Sequence, residues 1–213
     1  MKLLKSVNIS GQHCDILISD ENVALWEAFN SHKATIAILG KEDIDISVSK
    51  YAVESLGDID DEYIKKVAYR TLGIPFDIGK VEGINIREMR LGDFEILSSF
   101  KEFPFKTKND LQEYISLHYD FYGYGLYVFE NDKEFMGLAG FYNKDGKCYI
   151  SYMTEERYRR CGYTFKVCRY LLDYLRESLK IIDVYAQIDK SNIASVNFAK
   201  KLGVIINECF SKK

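Results

Sequence analysis

Cys168, Leu171, Leu172, Leu175 and Leu179 fall at positions i, i+3, i+4, i+7 and i+11. That spacing lays one apolar stripe along a helix from about Thr164 to Leu179. A helix apolar on one side must bury that side against another layer. The preceding residues supply the layer. Gly125–Glu130, Glu134–Tyr142 and Cys148–Thr154 read as strands. The turns between them, Asn131-Asp132-Lys133 and Asn143-Lys144-Asp145-Gly146-Lys147, are too short for crossovers, so the three strands run antiparallel. Further along, Asp183–Asp189 reads as a strand, Ala194–Leu202 as a helix and Val204–Cys209 as a last strand. Upstream, Ile84–Met89 alternates as a strand, Asp93 begins a helix, and another runs from about Lys108 to His118. The expected class is α/β, with a mixed, mainly antiparallel sheet flanked by helices.

The first 80 residues read differently. Asp15–Ser19 and Ala34–Leu39 are short apolar runs of the kind buried on both faces. Asp20 is placed to cap a helix between them that carries Val23, Leu25, Trp26, Ala28 and Phe29. Strand, helix and strand together imply a parallel pair. A helix is expected over Ser47–Leu56. Another starts at Asp60, with Asp61 and Glu62 on the positive end of its dipole. Ile64, Val67, Ala68 and Leu72 form its stripe, and Gly73 and Pro75 end it. Residues 74–83 read as a connector. The expected organisation is a small Rossmann-like βαβ unit over 1–80 and a second domain over 81–213.

Charge narrows the function. The net charge is −3, from 29 basic and 32 acidic residues, which gives no overall nucleic-acid footprint. The distribution is uneven. Residues 1–80 carry 9 Lys/Arg against 13 Asp/Glu, whereas residues 155–201 carry 10 against 6. A locally positive segment suits a phosphate-bearing ligand. Five cysteines without Cys-x-x-Cys spacing and three histidines without ligand spacing argue against zinc and against a disulfide framework, so no metal is expected. No apolar run approaches about 18 residues and no signal-peptide pattern opens the chain. The expected setting is cytoplasmic, with no membrane and no nucleic acid as partner.

The chemistry is expected at Tyr149–Thr164, where a strand leads through Glu155–Tyr163 into the long helix. The first N–H groups of a helix lack partners and, with the dipole, form an anion site. Gly162 allows close approach, and Arg159 and Arg160 add charge. The same spacing also fits an ordinary strand–loop–helix turn with a basic exterior.

The wider pattern favours the anion site. Arg159-x-x-Gly162-x-Thr164 resembles the Arg/Gln-x-x-Gly-x-Gly/Ala signature of GNAT N-acetyltransferases. Asn192-Ile193-Ala194-Ser195 followed by Lys201-Leu202-Gly203 resembles that family's Asn-x-Ala-Ser helix and its Leu-Gly-Phe ending. Ile86-Arg87-Glu88-Met89 with Asp93 resembles its opening strand and helix. Phe121-Tyr122-Gly123-Tyr124-Gly125-Leu126 with Gly137-Leu138-Ala139-Gly140 resembles the branch that acetylates protein N-termini and small amines. The resemblance covers about residues 84–206.

It implies acetyl-CoA as cosubstrate and direct acetyl transfer to a primary amine, either a protein N-terminus or a small molecule. Tyr152, Met153 and Thr154 are implied to offer backbone groups to the pantetheine arm. Arg159, Arg160, Cys161, Gly162, Tyr163 and Thr164 are implied to hold the pyrophosphate. Asn192 and Ser195 are implied to contact the pantetheine or adenosine side. The sequence departs from the pattern at Thr164, where the family has Gly or Ala, and at Val204, where it has Phe. Ala199 stands where many members carry a Tyr that protonates the leaving thiolate. Tyr149 stands where many carry a Glu base, and is taken as the catalytic candidate facing the reacting centre. A CoA-binding sensor without turnover is the alternative reading.

His118 fits a half-buried structural histidine, and Cys161 a small loop filler. Tyr122, Tyr124, Tyr127, Tyr142, Tyr149, Tyr152, Tyr158 and Tyr163 are expected around the transfer cleft, which argues against polycationic acceptors.

The first 80 residues loosely resemble the second half of a haloacid-dehalogenase-type Rossmann fold. The Asp-x-Asp nucleophile loop is absent, because Asp43-Ile44-Asp45 follows the wrong strand. No phosphatase activity is expected, and docking or homodimer formation is the default role.

Overall fold

The computed structural model describes all residues except 41–42, 101–102, 133 and 210–213; of residues 121, 208 and 209 it describes the backbone only. The chain divides into two compact units, Met1–Phe76 and Asp77–Lys213.

The first unit holds a four-stranded sheet in the order β1-β2-β3-β4. Strands β1 (Lys2–Ile9) and β2 (Gln12–Ser19) form an antiparallel hairpin. Ser10 and Gly11 turn it, both with positive φ, as a two-residue hairpin loop demands. Helix α1 (Asn22–Asn30) leads to β3 (Ala34–Ile38), which lies parallel to β2, and β4 (Tyr51–Val53) lies parallel to β3. Helix α2 (Asp61–Thr71) starts as the sequence predicts, with the Asp60 carboxylate accepting from the Tyr63 N–H at 2.7 Å. Its Ile64, Val67 and Ala68 bury against Ile16, Ile18 and Ile36. Each fully buried aliphatic side chain of this kind contributes about 1.5–3 kcal/mol.

Several expectations need correction here. Residues 47–56 are not a helix. They form a 3-10 turn (Ile46–Val48), strand β4 and the start of a second 3-10 turn (Leu56–Asp58). The hydroxyls decide it: Ser49 Oγ donates to the carbonyls of Thr35 and Tyr51, which ties the segment to the neighbouring strand. Asp20 does not cap α1. Glu21 occupies that position without a side-chain capping bond, and the carboxylates of Asp20 and Glu21 both bind the N-terminal amine. Strand β1 had no sequence signal, because most of its residues are exposed on the sheet edge.

The second unit holds a seven-stranded sheet in the order β11-β10-β9-β8-β7-β6-β5. Strands β5 (Asp77–Val81), β6 (Ile84–Glu88), β7 (Leu126–Asn131), β8 (Glu134–Lys144) and β9 (Lys147–Thr154) are antiparallel neighbours. Strands β10 (Val184–Asp189) and β11 (Ile205–Cys209) pair in parallel. The segment expected as a connector therefore contains β5. The turn predicted at Asn131-Asp132-Lys133 includes Lys133, which lies outside the described residues. Helix α5 (Tyr163–Ser178) buries Val167, Cys168, Leu171, Leu172 and Leu175 on one face of the sheet. On the other face, α3 (Phe94–Leu97) and α4 (Lys108–Ile115) bury Leu97 and Leu111 against Leu126, Val128 and Leu138. Helix α6 (Ile193–Leu202) joins β10 to β11.

Beyond Ile115 the backbone continues as a π-helical stretch, Ser116–Tyr122, that buries His118. Its ring stacks on Tyr114 at 4.1 Å, and its Nδ1 has no partner among the described residues. Burial lowers the imidazole's pKa. A lowered histidine pKa means that the unfolded chain binds the extra proton first. Stability is therefore complete above about pH 6.5 and falls as pH drops below it, by at most about 1.4 kcal/mol per pH unit. Urea unfolding at pH 7.5 and 5.5, followed by tyrosine near-ultraviolet circular dichroism, should show this slope reduced in His118→Phe. An unchanged slope in the variant would assign the pH dependence to other groups.

Candidate functional site

Strands β9 and β10 pair at only two positions, Val184 with Cys148 and Tyr185 with Tyr149. Past these, β9 runs on to Thr154 and β10 to Asp189 without pairing with each other. The two strands thus part, and their facing edges present backbone groups that need partners. A cavity of about 220 Å³ fills the gap, lined by Ser151, Tyr152, Asn192 and Ser195 among others. It adjoins a second of about 440 Å³ that reaches the start of α5, and Tyr152, Ser195 and Phe198 line both.

The start of α5 is built to meet an anion. Gly162 is its N-cap at φ +83°, with no side-chain cap, and its first turn carries no acidic residue. Arg160 before it also has positive φ. Arg159, Arg160 and Lys201 line the larger cavity, and no carboxylate does. Arg159 Nε also donates to the Thr154 carbonyl at 3.1 Å. Thr164 departs from the small-residue pattern and serves as a tie: its hydroxyl lies 2.6 Å from that of Thr154 and joins the helix to the end of β9.

Thus Tyr152, Thr154, Arg159, Arg160, Gly162, Thr164 and Ser195 border the larger cavity, and Asn192 the smaller. Asn192 also caps α6, accepting from the Ser195 N–H at 3.1 Å. Three candidates point elsewhere. Met153 packs with Leu126, Val128 and Leu138. Cys161 is exposed, with Sγ 3.6 Å from the Arg159 carbonyl. Tyr163 packs on Tyr158. Lys201, Phe165 and Phe198 were missed as site residues. Ser195, Phe198 and Lys201 recur at helical spacing on α6, so the signal was present.

The tyrosines divide into two groups. Tyr119, Tyr124 and Tyr127 are core residues and do not surround a cleft. Tyr152 packs on Phe198 at 4.5 Å with the Ser195 hydroxyl beside its phenol, and burial raises its pKa. Tyr149, three residues back, lies on the opposite face of the strand. It is buried between Tyr142 and Tyr185, at 5.5 and 5.6 Å, and its oxygen accepts from Asn207 Nδ2 at 2.8 Å. Tyr149 borders neither cavity.

The family model described as an acetyltransferase (GNAT) domain matches residues 84–205. The chain belongs to the GNAT acetyltransferases. It is thus a GNAT-type N-acetyltransferase, of an enzyme class whose cosubstrate is acetyl-CoA. Solved structures share the GNAT fold. A GnaT-family acetyltransferase from Bordetella pertussis is 17% identical, covering 58% of this chain and 86% of its own, with a TM-score of 0.51. The ribosomal L7/L12 α-N-protein acetyltransferase RimL is 17% identical over 60% of this chain and 80% of its own, with a TM-score of 0.53. Its complex with coenzyme A gives 17%, 60% and 82%, with a TM-score of 0.52. No curated protein matches the chain. Among the described residues, no helix is long and apolar enough to cross a membrane, and no cluster of three or more His, Cys, Asp or Glu is arranged to hold a metal.

Proposed function

We propose that the 81–213 domain binds acetyl-CoA in this groove and acetylates a primary amine, either a protein N-terminus or a small molecule. One observation carries the reading. The gap between β9 and β10, with Asp189 on its wall, runs into a larger cavity at the uncapped first turn of α5, which three cations and no carboxylate line. Arg159, Arg160, Lys201 and the N–H groups that follow Gly162 suit a pyrophosphate. Cys161 and Tyr163 shape that loop. The open edge of β9 at Tyr152, Met153 and Thr154 suits the amides of the pantetheine arm, with Asn192 and Ser195 on the facing wall.

The neutral amine nitrogen attacks the thioester carbonyl carbon, and the carbonyl π pair moves onto oxygen. The oxygen pair then re-forms the carbonyl as the C–S bond breaks, whose electron pair leaves on sulfur. The nitrogen loses one proton and the sulfur gains one, giving an amide and a free thiol. Positioning supplies much of the rate, and a placed proton donor adds to it. Tyr152 is the donor in this reading, because it borders both cavities and burial keeps it protonated. It lines the smaller cavity together with Ala199, where the family's tyrosine is missing. Tyr149, buried and outside both cavities, is assigned to the acceptor side in this reading; its oxygen accepts from Asn207 Nδ2, and its own proton is left to donate. Lys147 over Tyr185, at 5.0 Å, disfavours polycationic acceptors there.

Thiol release from acetyl-CoA with a panel of amines and N-terminal peptides tests the reading. Tyr152→Phe should lower kcat by about 100-fold with little change in the KM for acetyl-CoA. Tyr149→Phe should act mainly on the KM for the amine. An unaltered kcat in Tyr152→Phe removes the donor assignment. The absent tyrosine at Ala199 favours a second reading, a CoA-binding module. Binding of CoA without acceptor-dependent release would select it.

A further inference from the structure

The first unit carries a cleft that the acetyl-transfer reading does not use. It has a volume of about 310 Å³ and lies where β3 and β4 begin, beside the C-terminal ends of α1 and α2. Its origin is topological. A parallel crossover is ordinarily covered by a helix, but the chain from β3 to β4 makes only the Ile46–Val48 3-10 turn among the described residues. The layer on that face is correspondingly thin, with Leu25, Ala37 and Val48 as its buried residues.

The walls are rigidly built. Thr35 Oγ1 donates to the Val48 carbonyl at 2.7 Å, and Ser49 Oγ donates to the Thr35 carbonyl at 2.9 Å. Both hydroxyls are buried. The charged lining is Lys33, Lys50 and Arg70, with no carboxylate. This occurs in a segment where acids outnumber bases, 13 to 9 over residues 1–80. Arg70 lies in the last turn of α2 and Lys33 just past the end of α1, where each helix dipole favours a cation, and Lys50 leads into β4. Phe29 and Tyr51 add aromatic surface to the same cleft. Convergent charge beside apolar surface is the usual form of a small-molecule site.

We propose that this cleft binds a small organic anion, with its carboxylate or phosphate head toward Lys33, Lys50 and Arg70 and its apolar body against Phe29 and Tyr51. The site is independent of the acetyl-CoA groove, so its failure would leave the acetyl-transfer reading intact.

Trp26 provides the probe. It is the sole tryptophan of the chain, and its ring meets that of Phe29 at 6.1 Å. The full-length protein, saturated with CoA to occupy the phosphate-binding groove, would be titrated with benzoate and separately with inorganic phosphate. A saturable change in Trp26 fluorescence is expected for benzoate, with phosphate binding more weakly. Lys33→Glu with Lys50→Glu should weaken benzoate binding at least tenfold, while calorimetric CoA affinity stays unchanged. Lys33→Gln with Lys50→Gln is the milder pair should the reversal disturb folding. No saturable response to either anion, or equal affinity in the folded variants, would overturn the proposal. Phosphate binding without benzoate binding would overturn the apolar half of it.

Discussion

Gly162→Asp is expected to weaken CoA binding by 100-fold or more without unfolding the protein. The argument rests on where the new carboxylate would sit. Gly162 caps α5 at the point where the cations and the first N–H groups of the helix converge. A carboxylate about 5 Å from a phosphate charge costs about 1–3 kcal/mol at an effective dielectric constant between 20 and 80, and a pyrophosphate presents two such charges. The same carboxylate suits the helix. Negative charge at the helix start complements the dipole, and aspartate is among the side chains that tolerate the left-handed region best. Both offset the cost of about 1–2 kcal/mol for a side chain in the left-handed region. Gly162→Ala is the control. A Cβ at this position meets nothing within 4 Å, so only the φ of +83° opposes it. Calorimetry should therefore rank wild type and Ala close together, with Asp far below. Equal affinity in Gly162→Asp would place the CoA phosphates elsewhere.

The second unit was more legible in the sequence than the first, for identifiable reasons. The α5 stripe, the Asp145-Gly146 turn and the strands around them each carry a period or a turn signal of their own. Strand β5 does not. It places Gly79 where Tyr170 crosses it, so that an added Cβ would lie 1.9 Å from the tyrosine oxygen. That oxygen donates to the Ile78 carbonyl, so the partner of this strand segment lies some ninety residues away in the chain. In the first unit, residues 46–58 carry serines and glycine that suit helix ends, turns and strands alike, and their hydrogen bonds to β3 decided the outcome. At the site, the anion loop was readable because Gly162 and its arginines are adjacent in sequence. The parting of β9 and β10 was not readable, since pairing length is a property of two strands some thirty residues apart. The tyrosines show the same limit. Tyr119 reads like Tyr122, yet its hydroxyl joins the Met89 N–H and the Leu126 carbonyl inside the core.

Arg87→Leu should destabilise the second unit by about 3–5 kcal/mol, enough to unfold it in many conditions. Arg87 is 7% exposed on β6 and forms a forked pair with Asp93 at 2.8 and 2.9 Å. It also reaches both carboxylate oxygens of Glu130 at 3.1 Å, and the Glu88 carbonyl at 3.0 Å. One guanidinium thus joins the first strand of the family domain, the turn into α3 and the end of β7. Leucine would replace the methylene stem but leave two largely buried carboxylates, with the more exposed Arg90 still beside Asp93. An unpaired buried charge costs far more than a lost contact. Arg87→Lys keeps the charge and loses the fork, so it should fall between wild type and leucine. Restoring neutrality separates charge from packing: Arg87→Leu with Asp93→Asn and Glu130→Gln should recover part of the loss. Two signals resolve where the change occurs. Trp26 fluorescence reports the first unit, whereas all tyrosines except Tyr51, Tyr63 and Tyr69 lie in the second. The tyrosine transition in urea should move sharply to lower concentration in Arg87→Leu. If it does not move, the triad is not what holds β6, α3 and β7 together.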